Sequence, residues 1–288
     1  MPPSTRMSRS RQKCGMLAYT SAIWSHAGGK FGLRSVLEMP KVSVLMSVYN
    51  GEPFLGEAVE SILRQSFQDF EFVIVNDGST DQSANLLEAY AARDHRIVLL
   101  HNTRNMGLTK SLNRGLSVAR GSYIARQDAD DISIPVRLEK QTCYLDSHPH
   151  MLLVTANVEI IDEEGQNLKF SKRSLSNGLL SWHLIFGNYI GAHSLVMFRL
   201  RPVMRVSGYD ESRFLSQDYD LWLRLSERGP FHTLPDVLLK RRQHAANLSS
   251  KRSRAQELHA LMSSGGAIER MIGRRVPLEE VDILRSFW

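Results

Sequence analysis

Between residues 41 and 126, short apolar runs of strand length alternate with stretches whose apolar residues recur every three to four positions. Few topologies accommodate that alternation. Strands separated by helix-length segments pair in parallel, with the helices packed on the faces of the sheet. The first run, Val42-Ser43-Val44-Leu45-Met46-Ser47-Val48, is nearly continuously apolar, as a strand covered on both faces must be. Asn50-Gly51 and Pro53 then turn the chain, and Phe54, Leu55, Ala58, Val59, Ile62 and Leu63 follow a helical period. A second strand at 72–75 ends in Asn76-Asp77-Gly78-Ser79. Ser79 with Gln82 has the spacing of a capping box, which predicts a helix from there to about Ala92. A third strand at 96–100, a helix marked by Leu108, Leu112 and Leu116, and a fourth strand at 122–125 complete the pattern. The expectation is an α/β domain with a single, mostly parallel central sheet flanked by helices.

The second half is less regular. Ser133 and Pro135 predict a helix to about Ser147. Strands are expected at 151–154, 158–161, 194–198 and 237–239. A helix is expected at 220–227, and a last one at 253–272 on the outside.

A chain of 288 residues with 42% hydrophobic and 23% charged residues is an ordinary globular protein of one large domain, or one domain with additions. Its two cysteines, Cys14 and Cys143, make neither a disulfide framework nor a zinc cluster, so a reducing compartment is expected. No apolar run reaches the length of a spanning helix, and the longest, 185–198, is interrupted by Asn188 and His193. The net charge of +6 sits in residues 1–41, where seven basic residues face Glu38 alone. The body is therefore neutral, and no clustered stacking elements support a nucleic-acid partner. Residues 1–39, rich in Ser, Arg and Gly, read as a disordered or loosely attached extension, a misplaced start, or a transit peptide poor in acids. The basic segments 1–41 and 240–254 can touch an anionic membrane surface, or simply be solvated. A cytoplasmic protein is expected, at most peripheral at the inner membrane face.

In open parallel sheets, ligands bind beyond the carboxyl ends of the strands. Three strands here end in polar groups: Tyr49-Asn50, Asp77-Gly78-Ser79, and Asp128-Ala129-Asp130-Asp131. Three carboxylates within four positions repel one another, which raises their proton affinity or recruits a cation. Mg²⁺ or Mn²⁺ suits such oxygen ligands together with substrate phosphates. An acidic loop facing water is the alternative. Asp77 reads as a hydrogen-bond acceptor for a base or ribose, or as a turn aspartate. No Gly-rich dinucleotide or Walker loop exists. An EF-hand reading fails because Ile132 and Ser133 stand where a ligand and a Gly are required.

These strand ends, with Asn105-Met106-Gly107-Leu108 and Leu112-Asn113, resemble the large second family of inverting glycosyltransferases with the GT-A fold, over residues 41–250. Downstream, Asp218-Tyr219-Asp220-Leu221-Trp222 is similar to that family's Glu-Asp-Tyr-Asp-x-Trp stretch, and Arg242-Gln243-His244 with Asn247 and Ser249 resembles its Arg-x-His segment. The resemblance implies a donor half at about 40–131, an acceptor half at about 132–250 and a helical extension at 251–288. It implies Asp218 as catalytic base. Asp130 becomes the first choice for the metal, His244 a contact to metal or phosphates, and Asp128 a ribose contact, with Asp131 orienting its neighbours. Tyr49, Asn50, Asp77 and Asn105 become donor contacts, and His193 a position near the acceptor.

The implied reaction is metal-dependent transfer of a hexose from a UDP- or dTDP-sugar to a hydroxyl of a polysaccharide or lipid-linked glycan. Two departures stand out: Ser47 replaces a usual Pro, and Gln217 replaces a Glu beside the base. The residues alone also allow Asp218 as a helix-start carboxylate, His244 as a surface histidine and His193 as a satisfied buried one. Trp222 and Leu225 read as core. A non-catalytic sugar-nucleotide binder is the competing class. A nucleotidyltransferase is a further one, although Tyr49-Asn50-Gly51-Glu52-Pro53 lacks the basic residues it needs.

Overall fold

The computed structural model describes residues 39–171, 177–245 and 254–287. The expectations for the N-terminal extension, and for Asn247 and Ser249, fall outside them. The alternating half folds as expected: β1 (Val42–Val48), α1 (Glu52–Leu63), β2 (Phe70–Asn76), α2 (Ser83–Arg93), β3 (Ile97–His101), α3 (Leu108–Val118) and β4 (Tyr123–Gln127). These strands pair in parallel in the order β3-β2-β1-β4. Every residue of β2 is buried, because α1 and α2 cover one face of the sheet and α3 the other. The turn into β4 runs so close to β1 that a Cβ on Gly121 would lie 2.4 Å from the Ser43 nitrogen.

The remaining elements are β5 (Ile132–Ser133), α4 (Arg137–Ser147), β6 (Leu153–Ile161), β7 (Asn167–Ser171), α5 (Asn177–Leu184), β8 (Met197–Arg199), α6 (Leu200–Arg205), α7 (Gln217–Ser226), β9 (Phe231–Arg242), α8 (Arg254–Ile272) and α9 (Leu278–Ser286). They extend the same sheet as β4-β8-β6-β9-β5, with β7 on β6. Here β8 lies antiparallel to both β4 and β6, and β6 runs parallel to β9. Among the described residues no helix is long and apolar enough to cross a membrane.

Several expected elements differ, each for a physical reason. The two strands expected at 151–154 and 158–161 are one strand, in which the Asn157 side chain donates to the Pro235 carbonyl at 2.8 Å. The short strand expected at 237–239 is part of the twelve-residue β9. Pro235 lies where the β6–β9 register shifts, so the missing N–H falls in a bulge. The strand expected at 194–198 is a 3₁₀ turn, His193–Leu195, followed by β8. The capping box at Ser79 does not form. Ser79 Oγ accepts the Asn50 N–H instead, and Asp81 Oδ1 accepts the Ser83 N–H at the true start of α2. Helix α7 begins earlier, at Gln217, and a second helix, α9, follows the one expected at 253–272 within the helical extension.

Candidate active site

The carboxyl ends of β1 and β2 interlock. Asn50 takes a left-handed backbone, φ 52°, and its Oδ1 accepts the Thr80 N–H at 2.8 Å. The Gly51 N–H reaches Ser83 Oγ at 2.9 Å, and the Glu52 N–H reaches Asp81 Oδ2 at 3.1 Å. Tyr49 stands exposed beside them. Asp77 is buried and serves as a post for the 102–107 loop. Its Oδ1 accepts Asn102 Nδ2 at 2.6 Å and the Met106 N–H at 2.8 Å, while Oδ2 accepts the Gly107 N–H at 2.9 Å. One lone pair on Oδ2 is left for a ligand. Asn105, exposed on that loop, accepts the same Gly107 N–H.

The acid loop follows β4. Carboxylate oxygens of Asp128, Asp130 and Asp131 lie within 4.8 Å of one another. Asp131 is buried, accepting the Ser194 hydroxyl and, at 3.0 Å, the Arg242 N–H. Burial and then the charges of Asp130 and Asp128 push its carboxyl well above the usual range. Burial first, then Asp128, also raises Asp130, although His244 Nε2 at 3.0 Å from its Oδ2 works the other way. Asp128 is half-buried and pairs with Arg126 at 2.5 Å. Beneath the loop, Arg137 is pushed down to about 9 by burial, and it donates to Gln127 Oε1, Ser133 Oγ and the Arg126 carbonyl. An all-oxygen, acidic donor set of three carboxylates gathered within 4.8 Å fits a hard divalent cation.

His244 packs its ring 4.9 Å from that of Phe54. The Arg242 guanidinium lies 4.6 Å from the same ring. It is buried, donates to the Asp162 and Glu163 carbonyls, and pairs with Glu57. Arg242 thus anchors the end of β9 and so places His244 beside Asp130.

Across the sheet, Ser216 at φ 55° turns the chain into α7. This sets Asp218 half-buried in the first helical turn. Burial raises its carboxyl, the Tyr219 N–H and Asn188 Nδ2 (3.0 Å) oppose that, and the Asp128 charge raises it further. Trp222 and Leu225 are core, as expected. His193 Nε2 lies 2.8 Å from the Tyr209 hydroxyl, and burial with the nearby Arg126 charge keeps the imidazole neutral. The charge of Asp128 contributes to the raised values of Asp130, Asp131, Tyr209 and Asp218. Asp77 and Asn105 form a separate cluster around the 102–107 loop.

Arg126, Asn188, Ser194 and Tyr209 were not singled out from the sequence. Arg126 left a trace there as a cation directly after the apolar run Tyr123-Ile124-Ala125, and Asn188 as a polar break in the run 185–198.

The glycosyl transferase family 2 model matches residues 43–204. The chain is 38% identical over 209 residues to the putative glycosyltransferase EpsE of Bacillus subtilis (strain 168), covering 71% of this chain and 73% of that protein. It is 33% identical over 226 residues to the O-antigen biosynthesis glycosyltransferase WbnJ of Escherichia coli, covering 76% of this chain and 84% of that one. In fold it is similar to the mannosyltransferase PcManGT from Pyrobaculum calidifontis, solved in complex with GDP-Man and Mn²⁺. The TM-score is 0.61 at 19% identity, over 87% of this chain and 70% of that one.

Proposed function

The chain belongs to glycosyl transferase family 2, and from that premise we propose that this glycosyltransferase moves a hexose from a nucleoside diphosphate sugar to a hydroxyl acceptor, with inversion, using Mn²⁺ or Mg²⁺. The observation that carries the reading is the acid loop itself: carboxylate oxygens of Asp128, Asp130 and Asp131 lie within 4.8 Å of one another, and His244 Nε2 lies 3.0 Å from Asp130 Oδ2. PcManGT, which shares the fold, was solved with GDP-Man and Mn²⁺, and that supports a nucleotide-sugar donor and a divalent cation here.

Asp130 and His244 are the proposed metal contacts, with Asp128 toward the ribose and Asp131 as the buried strut between β9 and the 3₁₀ turn. A bound dication supplies neutralisation of the charge that develops on the leaving diphosphate. Tyr49, Asn50, Asp77 and Asn105 line the nucleoside side. Asp77 acts mainly by shaping the 102–107 loop. Asp218 removes the acceptor's proton as the new bond forms, from the face opposite the leaving group, which gives inversion. Burial makes it a stronger base than an exposed aspartate, and Asn188 holds its orientation.

We divide the fold accordingly into a donor half (about 40–131), an acceptor half (about 132–250) and a helical extension from 251. WbnJ is named for O-antigen biosynthesis, which supports a surface-polysaccharide or lipid-linked acceptor. We assign the reaction to the cytoplasmic side, and the basic composition of 1–41 and 240–254 suits contact with an anionic membrane face.

The test is a panel of sugar nucleotides assayed for Mn²⁺-dependent hydrolysis and transfer. Asp130→Asn is expected to lose both. Asp218→Asn is expected to retain calorimetric donor binding while transfer falls by ~10²–10⁴-fold. Full transfer by the Asp218→Asn protein removes the base assignment. Donor binding without turnover in the unaltered protein favours the non-catalytic binder.

A further inference from the structure

Helix α5 ends at Leu184, and the carbonyls at a helix C-terminus have no intrahelical partner. Those of Trp182 and His183 are met within the turn, by the Ile185, Phe186 and Gly187 N–H groups. The next three are met from far along the chain. Tyr219 Oη, in α7, donates to the Leu184 carbonyl at 2.6 Å. Ser264 Oγ, in α8, donates to the Ile185 carbonyl at 2.6 Å. Arg285 Nε, in α9, donates to the Phe186 carbonyl at 3.2 Å. The two hydroxyl oxygens lie 2.9 Å apart, and the Arg285 guanidinium sits 5.9 Å from the centre of the Tyr219 ring. Tyr219 and Ser264 are buried. Three separate helices thus meet three successive carbonyls at one joint.

The joint carries the loop that reaches the base. Asn188 follows Phe186 by two residues, and its Nδ2 donates to Asp218 Oδ2 at 3.0 Å. Its Oδ1 accepts the Ile190 N–H at 3.3 Å, which ties the amide to its own loop. The other side of that contact is held by the same helices. Tyr219 directly follows Asp218, and Ser216 Oγ, at the turn into α7, donates to the Gln256 carbonyl of α8 at 3.2 Å. Helix α8 therefore grips both sides of the Asn188–Asp218 hydrogen bond. Such a contact acts only while donor and acceptor stay in register, and misplacing a catalytic group by about 1 Å lowers a rate as much as ~10²-fold. We infer, on the reading of Asp218 as the base, that Ser264 and Arg285 are positioning residues: with Tyr219 they fix the 185–190 loop so that Asn188 meets Asp218, which makes the α8–α9 pair part of the transfer machinery.

Ser264→Ala removes one donor from the joint. Ser264 is uncharged, so every charge acting on Asp218, that of Asp128 included, is unaltered. The kcat for transfer is expected to fall roughly tenfold, the size of losing one hydrogen bond to a charged group. Donor KM and calorimetric donor binding are expected to stay within about twofold, because the donor contacts are untouched. A double-mutant cycle with Asn188→Ala separates this from a purely structural role. The protein carrying both changes is expected to be no slower than Asn188→Ala alone, and the inflection of kcat/KM with pH in Ser264→Ala is expected to move in the same direction as in Asn188→Ala. A residue that only stabilises the fold lowers the melting temperature, leaves the inflection in place and adds its loss to that of Asn188→Ala.

Additive losses, an unmoved inflection or full transfer by Ser264→Ala each overturn the inference while the base reading stands. Full transfer by Asp218→Asn overturns the base reading and the inference with it. Should Ser264→Ala fail to melt cooperatively, Arg285→Met, which removes the Phe186 contact and keeps an apolar stem, goes through the same cycle under the same criteria.

Discussion

Asp218 carries two perturbations of the same sign: burial, and the negative charge of Asp128. Both favour its protonated form, so the base ionises above the ordinary aspartate value of about 3.9. The rate of transfer is therefore expected to rise with pH through an inflection above that value. Removing the Asn188 hydrogen bond, which stabilises the carboxylate, is expected to move the inflection further up in Asn188→Ala. A pH–rate profile of kcat/KM checks both, and an unmoved inflection in Asn188→Ala excludes Asn188 as the group that tunes the base. The acid run after β4 was legible from its residues alone, whereas the roles proposed for Asp130, His244 and Asp218 came from the resemblance to the family's motifs. Arg126 was not legible, because a lone cation near a strand end acquires meaning only from the groups around it. The main bonding of Asp77 was equally hidden. It depends on a loop some thirty residues away returning to give it two backbone N–H groups.

Among the elements, the parallel half was legible because each strand is nearly all apolar and each helix keeps its period. The antiparallel half was not. Strand β8 has only three residues, and β9 hides behind Pro235, whose bulge interrupts any sequence pattern. What holds the legible half together can be probed at the turn into β4. Gly121 donates its N–H to Ser43 Oγ at 2.8 Å, and an added Cβ would meet β1 backbone at 2.4 Å (Ser43 N) and 2.7 Å (Val42 C). Backbone in the centre of a sheet cannot yield, so Gly121→Ala must part β4 from β1. The expected loss is about 2 kcal/mol, read as a melting temperature lower by roughly 4–8 °C. Because Asp128 hangs from the far end of β4, transfer is expected to weaken along with stability. An unchanged melting temperature would mean that the β1–β4 approach is looser than this geometry.

For the molecule as a whole, the raised carboxyls of Asp130, Asp131 and Asp218 link fold stability to pH and to the cation. A carboxyl whose folded value is raised favours the fold below the unfolded value of about 3.9, and that contribution fades as pH climbs through the folded value. The metal-free protein thus loses this contribution toward neutral pH, as charges build up in a buried cluster. A dication competes with protons for the same oxygens, so its binding strengthens as pH rises. The rise in melting temperature caused by Mn²⁺ is therefore expected to be small near pH 5 and larger near pH 8. At a hundredfold excess over its dissociation constant it reaches about 2.7 kcal/mol, or roughly 5–10 °C for a domain of this size. The comparison must be made with and without metal at each pH. His193 and His232 have lowered values that favour the fold as pH rises, and the difference at fixed pH removes their contribution. Asp130→Asn is expected to abolish the metal-induced shift at both pH values. A shift in the unaltered protein that is equal at the two, or larger in acid, would detach the cation from this cluster and from the chemistry assigned to it.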